Sequence, residues 1–179
     1  MEQTIETKKT NVLVQYGLMA ALGSALFFVI LYLGGTAFFG SPAAFLSYAI
    51  PVVFAIFACI KAKKDNGGFL EFKEALKICF GIFVLCALAT SLLSYIMFNF
   101  VDPGFKESML QLTIEKTQEF MAKFNTPQDT IDKQIQAMLK KDMFSLGSIA
   151  QSFVFGCVFW FVIALIVAAI MKKKKPEFA

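Results

Sequence analysis

Residues 10–60 read TNVLVQYGLMAALGSALFFVILYLGGTAFFGSPAAFLSYAIPVVFAIFACI, with no Asp, Glu, Lys, Arg or His anywhere in the run. A water-soluble domain keeps about a quarter of its residues charged, and one of this size does not leave so long an interval bare. A bilayer core requires it, because a charge at its centre costs about 2.5–3.5 kcal/mol even on a lenient insertion scale. At about 1.5 Å per residue, one helix over this run would exceed twice the ~30 Å hydrocarbon thickness. The run carries its own breaker, Gly34-Gly35 followed by Gly40-Ser41-Pro42. Ser41 can cap a following helix and Pro42 suits its first turn. Two spans are therefore expected, at about 12–33 and 42–61. Pro51 should kink the second, since it lacks a backbone donor and crowds the carbonyl of Ser47.

Outward from that run the pattern repeats. Residues 78–101 and 143–171 are also free of charge, and they predict spans at about 76–100 and 148–171. The whole chain fits: of 179 residues 58% are hydrophobic and only 17% charged, which argues for a single all-α membrane domain over 1–179 with four transmembrane helices. The first apolar stretch is longer than the ~7–15 residues of a signal-peptide core, so it is expected to stay uncleaved.

All 17 basic residues are lysines, and their positions orient the chain. Lys8 and Lys9, then Lys61, Lys63, Lys64, Lys73 and Lys77, then Lys172 to Lys175 must share one side if there are four spans. The first connection on the other side is uncharged, and the long one has six lysines offset by seven acids. The positive-inside rule then places both termini in the cytoplasm, with Lys140-Lys141 as the dissenting pair. Localisation in a bacterial cytoplasmic (inner) membrane follows as the expectation.

The long connection, about 101–147, is the one sizeable aqueous part, expected to be an extracytoplasmic helical hairpin. Asp102-Pro103-Gly104 is a turn signal, residues 105–124 have helical periodicity, and Asn125-Thr126-Pro127-Gln128-Asp129 is a stop and restart with Thr126 as candidate cap. In the second helix Ile131, Ile135, Met138 and Leu139 form an apolar stripe. That stripe can pack within the hairpin or on the span ends, bind a partner, or lie in the membrane interface.

Small residues recur where helices could pack: Ser148, Ser152 and Gly156 repeat every four residues in the fourth span, Ala87, Ser91 and Ser94 share a face in the third, and the first has Gly17, Ala21 and Ser24. Such faces let helix backbones approach closely in lipid, within one chain or between copies. Cys59, Cys79, Cys86 and Cys157 all lie in apolar intervals without a C-x-x-C pair and read as small buried hydrophobes. With no His there is no His-dependent triad and no imidazole metal site. No span carries a central charge of the kind that marks proton relays. An intramembrane enzyme would have to be built from Thr90 and Ser94 with Gln151. No enzymatic activity and no cofactor are expected. The run Lys172, Lys173, Lys174 and Lys175 can attract anionic lipid at about 1 kcal/mol per lysine.

The sequence Asn66-Gly67-Gly68, followed by Phe72 and Ala75-Leu76, then Asn99-Phe100-Val101-Asp102-Pro103, the acid-and-lysine insertion and the lysine-rich end resembles a bacterial four-helix membrane-protein family of unknown function. The resemblance covers nearly the whole chain. It implies four spans in a bacterial cytoplasmic membrane and carries over no activity, substrate or site residue. A scaffold or interaction role is the first expectation, with the bilayer, a protein partner or a second copy as partners and no nucleic acid. A small oligomeric transporter or channel for a neutral solute or ion is the alternative.

Overall fold

A computed structural model describes the backbone of residues 2–173 and the side chains of residues 11–173. These form α1 (Glu2–Leu33), α2 (Gly35–Phe39), a 3-10 turn (Pro42–Phe45), α3 (Leu46–Asp65), α4 (Phe72–Ile96), a π-turn (Met97–Val101), α5 (Pro103–Lys123), α6 (Gln128–Lys140) and α7 (Leu146–Met171). Four stretches are long and apolar enough to cross a membrane: Asn11–Leu33, Pro42–Asp65, Phe72–Val101 and Leu146–Met171. The chain is an all-α, multi-pass membrane protein.

The spans fall where the uncharged intervals put them, and the ends differ for physical reasons. The first connection, read as a plain turn, is largely helical: α2 and the 3-10 turn fill it. The linker bonds its backbone to itself, with the Gly40 amide donating to the Thr36 carbonyl at 2.9 Å and the Ser41 amide to that of Phe38 at 3.2 Å. Ser41 stands at the N-cap without a side-chain cap bond, its hydroxyl donating instead to the Phe38 carbonyl at 2.7 Å. In the insertion Pro127, not Thr126, occupies the N-cap of α6.

α4 is the hub, packed against α1, α3 and α7, while α3 and α7 touch each other least of the neighbouring span pairs. The tightly packed half of the bundle is the end holding the α3–α4 turn and the end of α7. Ala55, Ala58, Cys59 and Ala62 of α3, Ile78, Cys79, Ile82 and Phe83 of α4, and Ala164 and Ala168 of α7 are buried together there. Alanines at these crossings let the backbones close, which matters where lipid tails supply no hydrophobic drive between helices. Cys59 and Cys79 meet in this core with their sulfurs 3.5 Å apart as free thiols; Cys86 is buried and Cys157 half-buried.

The α3–α4 turn closes by a Schellman pattern in which the Gly68 amide donates to the Lys63 carbonyl at 2.8 Å. Gly67 (φ +67°) and Gly68 (φ +89°) hold the left-handed conformations that this turn needs and that side chains resist. Leu70, fully buried, exchanges two backbone bonds with Lys173, at 2.9 and 2.8 Å, and so pins the end of α7 to the turn. The Lys173 ammonium lies 5.9 Å from the Phe69 ring centroid. Lys172 is exposed, and Lys174 and Lys175 lie outside the described residues.

Two glycines make tight contacts between α1 and α4. A Cβ at Gly17 would stand 2.6 Å from Leu85 Cδ1, and one at Gly81 would stand 2.6 Å from Leu13 Cδ1 and 3.1 Å from its Cγ. Gly81→Val is expected to lower stability by about 1–3 kcal/mol through overpacking, read as a lower midpoint in detergent melts. An unchanged midpoint would mean that Leu13 moves aside freely.

Candidate functional site

Away from this core, toward the α4–α7 connection, the bundle opens around a chamber of about 840 Å³. Its long walls are the helical faces singled out for their small residues. α4 contributes Ala87, Ser91 and Ser94 beside Cys86 and Thr90; α7 contributes Ser148, Ser152 and Gly156. On α7 the lining runs from Ser148 to Trp160, about 18 Å at ~1.5 Å per residue. Instead of meeting one another the two faces border open space, and a Cβ built on Gly156 meets nothing within 4 Å. On α1 the small face has two destinations: Ala20 and Ala21 are buried, with Gly17 facing Leu85, while Ser24 reaches the chamber wall.

The floor is aromatic. Trp160, the sole tryptophan, lies 4.7 Å from the Phe83 ring and 6.1 Å from Tyr48. Pro51 is buried and lines the same wall as Ser47 and Tyr48, so the kink-prone part of α3 borders the cavity. Several wall hydroxyls serve their own helices: Thr90 donates to the Cys86 carbonyl at 2.9 Å and Ser47 to that of Ala44 at 2.6 Å. Ser148 donates to the Asp142 carbonyl at 2.7 Å. Ser24 differs. Its residue is only 7% exposed and its hydroxyl has no nitrogen or oxygen partner. The polar group beside it is the Cys86 thiol, a weak donor and acceptor.

The roof is the hairpin. Met109 and Thr113 of α5 and Gln134, Ala137 and Met138 of α6 line the chamber at its outer end, with Lys141 beyond them. Of the described lining residues, Lys141 is the one with a formal charge. Its ammonium donates to the neutral Gln151 amide oxygen at 2.7 Å. Of the stripe expected on α6, Ile131 is buried, Ile135 and Met138 are half-buried, and Leu139 is turned out at 59% exposure. Leu139 follows Met138 by one residue, about 100° around a 3.6-residue helix, so the two cannot share the inward direction.

Polar ties hold the roof to the spans. Asp102 caps α5 by accepting from the Phe105 amide at 3.0 Å and also accepts the Tyr32 hydroxyl at 2.9 Å. The π-turn ends α4 one residue wider than an α-turn, with the Asp102 amide donating to the Met97 carbonyl at 2.8 Å. It leaves Phe98 buried and Asn99 donating to the Phe144 carbonyl at 2.9 Å. Phe98 sits among Phe28, Phe105 and Phe144, with centroids 5.9, 5.9 and 4.7 Å away. None of these ties was anticipated from sequence. The one signal was Asp102-Pro103-Gly104, read there as a turn. Gln151, grouped earlier with Thr90 and Ser94, is exposed and committed to Lys141.

The Lys106 ammonium, 2.7 Å from Asp142, joins the start of α5 to the segment before α7. That bond, helped by backbone donors at Phe144 and Ser145, holds the Asp142 carboxyl below its ordinary range. A depressed acid contributes stability above its unfolded pKa of about 3.9 and loses it as pH falls through the lower folded value. Asp142→Asn is thus expected to cost about 0.2–1 kcal/mol near neutrality, a modest sum because the pair is exposed. In melts repeated at acidic pH the gap from wild type should close; a gap that widens contradicts the assignment.

Among the described residues, no three His, Cys, Asp or Glu side chains gather to hold a metal ion. The geometry offers a capped, amphiphilic recess without paired acids or an activated nucleophile. No curated protein and no solved structure matches the chain. Residues 15–173 match the family described as "Protein of unknown function (DUF4199)". The chain, four spans and helical insertion included, belongs to that family.

Proposed function

We propose that this is a non-enzymatic interaction protein of a bacterial cytoplasmic membrane, with both termini in the cytoplasm and the hairpin outside. Its work on this reading is binding, done by the chamber and the hairpin that roofs it. The observation that carries the reading is the pair of small-residue faces on α4 and α7 bordering an ~840 Å³ recess rather than closing on each other. Protein interiors are ordinarily close-packed, and a recess of this size falls in the range of small-molecule sites. The lysine count orients it, and Lys172 to Lys175 would rest against anionic headgroups. The alternative, a small oligomeric transporter or channel for a neutral solute or ion, draws on the same wall hydroxyls. Against it stands the floor, where Phe83, Ile82, Cys59 and Cys79 are fully buried below the chamber.

Assembly size in detergent and solute or ion flux in vesicles separate the two. The binding reading expects flux no greater than in empty vesicles. A multimer that conducts above that background overturns it.

A further inference from the structure

We propose that the chamber binds an amphiphile with one anionic head, its head under the hairpin at Lys141 and its apolar chain lying between α4 and α7 toward Trp160. This rests on the binding reading and names its ligand class. The first support is the distribution of charge. Lys141 carries the formal charge of the described lining, and its hydrogen bond goes to a neutral amide that an anion can join or replace. Its neighbour Asp142 is already engaged by Lys106. A carboxylate or phosphate would bring a full opposite charge to an ammonium whose present acceptor is only an amide dipole.

The second support is the wall below Lys141. Thr90 and Ser47 direct their hydroxyls to their own helix carbonyls, so at those points the wall offers carbon rather than an unmet donor. Gly156 leaves open width beside them, and the floor is the indole of Trp160. A chain fits such a slot. Entry is sideways from the leaflet. α3 and α7 make the least contact of the neighbouring spans, and Tyr48, which lines the chamber beside that seam, is 54% exposed.

The sole tryptophan on the floor makes a direct test possible. The full chain in detergent is titrated with bromine-tagged dodecanoate, bromine-tagged dodecanol and bromine-tagged phosphatidylglycerol, and quenching of Trp160 fluorescence is followed. Saturable quenching by at least one of the two anionic probes is expected, and which of them saturates tells a free acid from a phospholipid as the source. Gly156→Leu fills the slot where a Cβ meets nothing, and should weaken binding roughly tenfold or more without early melting. If that variant does melt early, Ser152→Phe on the same wall replaces it. Lys141→Gln should weaken the anionic probe about tenfold, the scale of a lost charge-assisted bond, and leave the alcohol unchanged. Quenching that rises without a plateau and equally in wild type and the filled variant overturns the site. Equal affinity of Lys141→Gln for the anionic probe overturns the head-group assignment. Either failure leaves the flux result standing, so the ligand class and the broader binding reading fail separately.

Discussion

Phe83→Ala should destabilise the bundle by about 3 kcal/mol, at the low end of the ~3–5 kcal/mol seen for buried Phe-to-Ala changes. Phe83 is fully buried on α4 and its ring lies 4.7 Å from Trp160 of α7. Removing it subtracts contacts from α7 and leaves a void that joins the floor of the chamber. In water such a change also forfeits transfer free energy. In a membrane that part shrinks, because a separated helix meets lipid tails as apolar as the core. What remains is lost dispersion contact with the neighbouring rings and alanines. Unfolding followed by Trp160 emission measures it, and a cost under about 1 kcal/mol would show that α7 does not pack on α4 there.

Asp102→Ala should cost about 2–3 kcal/mol and act at the other end of the bundle. Two bonds are lost at once: the cap on the Phe105 amide and the acceptor for Tyr32. A cap is worth about 1 kcal/mol, and a hydrogen bond to a charged acceptor about 1.5–3 kcal/mol. Tyr32→Phe removes the second alone and should cost less than Asp102→Ala. In the double variant the two costs should fall short of adding, since they share one bond. Proteolysis of α5 and α6 ought to speed up in Asp102→Ala, because the start of the roof is untied. Full additivity of the two costs would mean that Tyr32 and Asp102 do not interact.

The spans were legible because membranes impose one rule on long stretches of chain: no charge, and backbone bonds made internally. That rule reads directly from residues 10–60, 78–101 and 143–171. The hairpin was legible too, since Asp102-Pro103-Gly104 and residues 125–129 carry local turn chemistry. The chamber was not. Ser148, Ser152 and Gly156 have the same spacing whether a helix lies against them or a void does, and only the sparse packing of α7 against α3 decides. The roof ties were hidden for a related reason. Tyr32 and Asp102 are 70 positions apart, and Lys106 and Asp142 are 36 apart. Pairings at such distance depend on how the span ends are arrayed. In the first connection the glycines do break the first span, at Leu33, with Gly34 and Gly40 flanking α2 and Gly35 left-handed at φ +71°, while the short helical turns between them were not read.

Labelling with an impermeant thiol reagent in intact spheroplasts tests most directly whether lipid holds four rods with the hairpin and the α3–α4 turn on opposite faces. With the native cysteines replaced by serine, Gln118→Cys on exposed α5 should react and Lys64→Cys in the turn should stay dark until the membrane is breached. Equal labelling of both positions before lysis, or labelling of Lys64→Cys alone, would contradict the topology on which the roofed chamber depends.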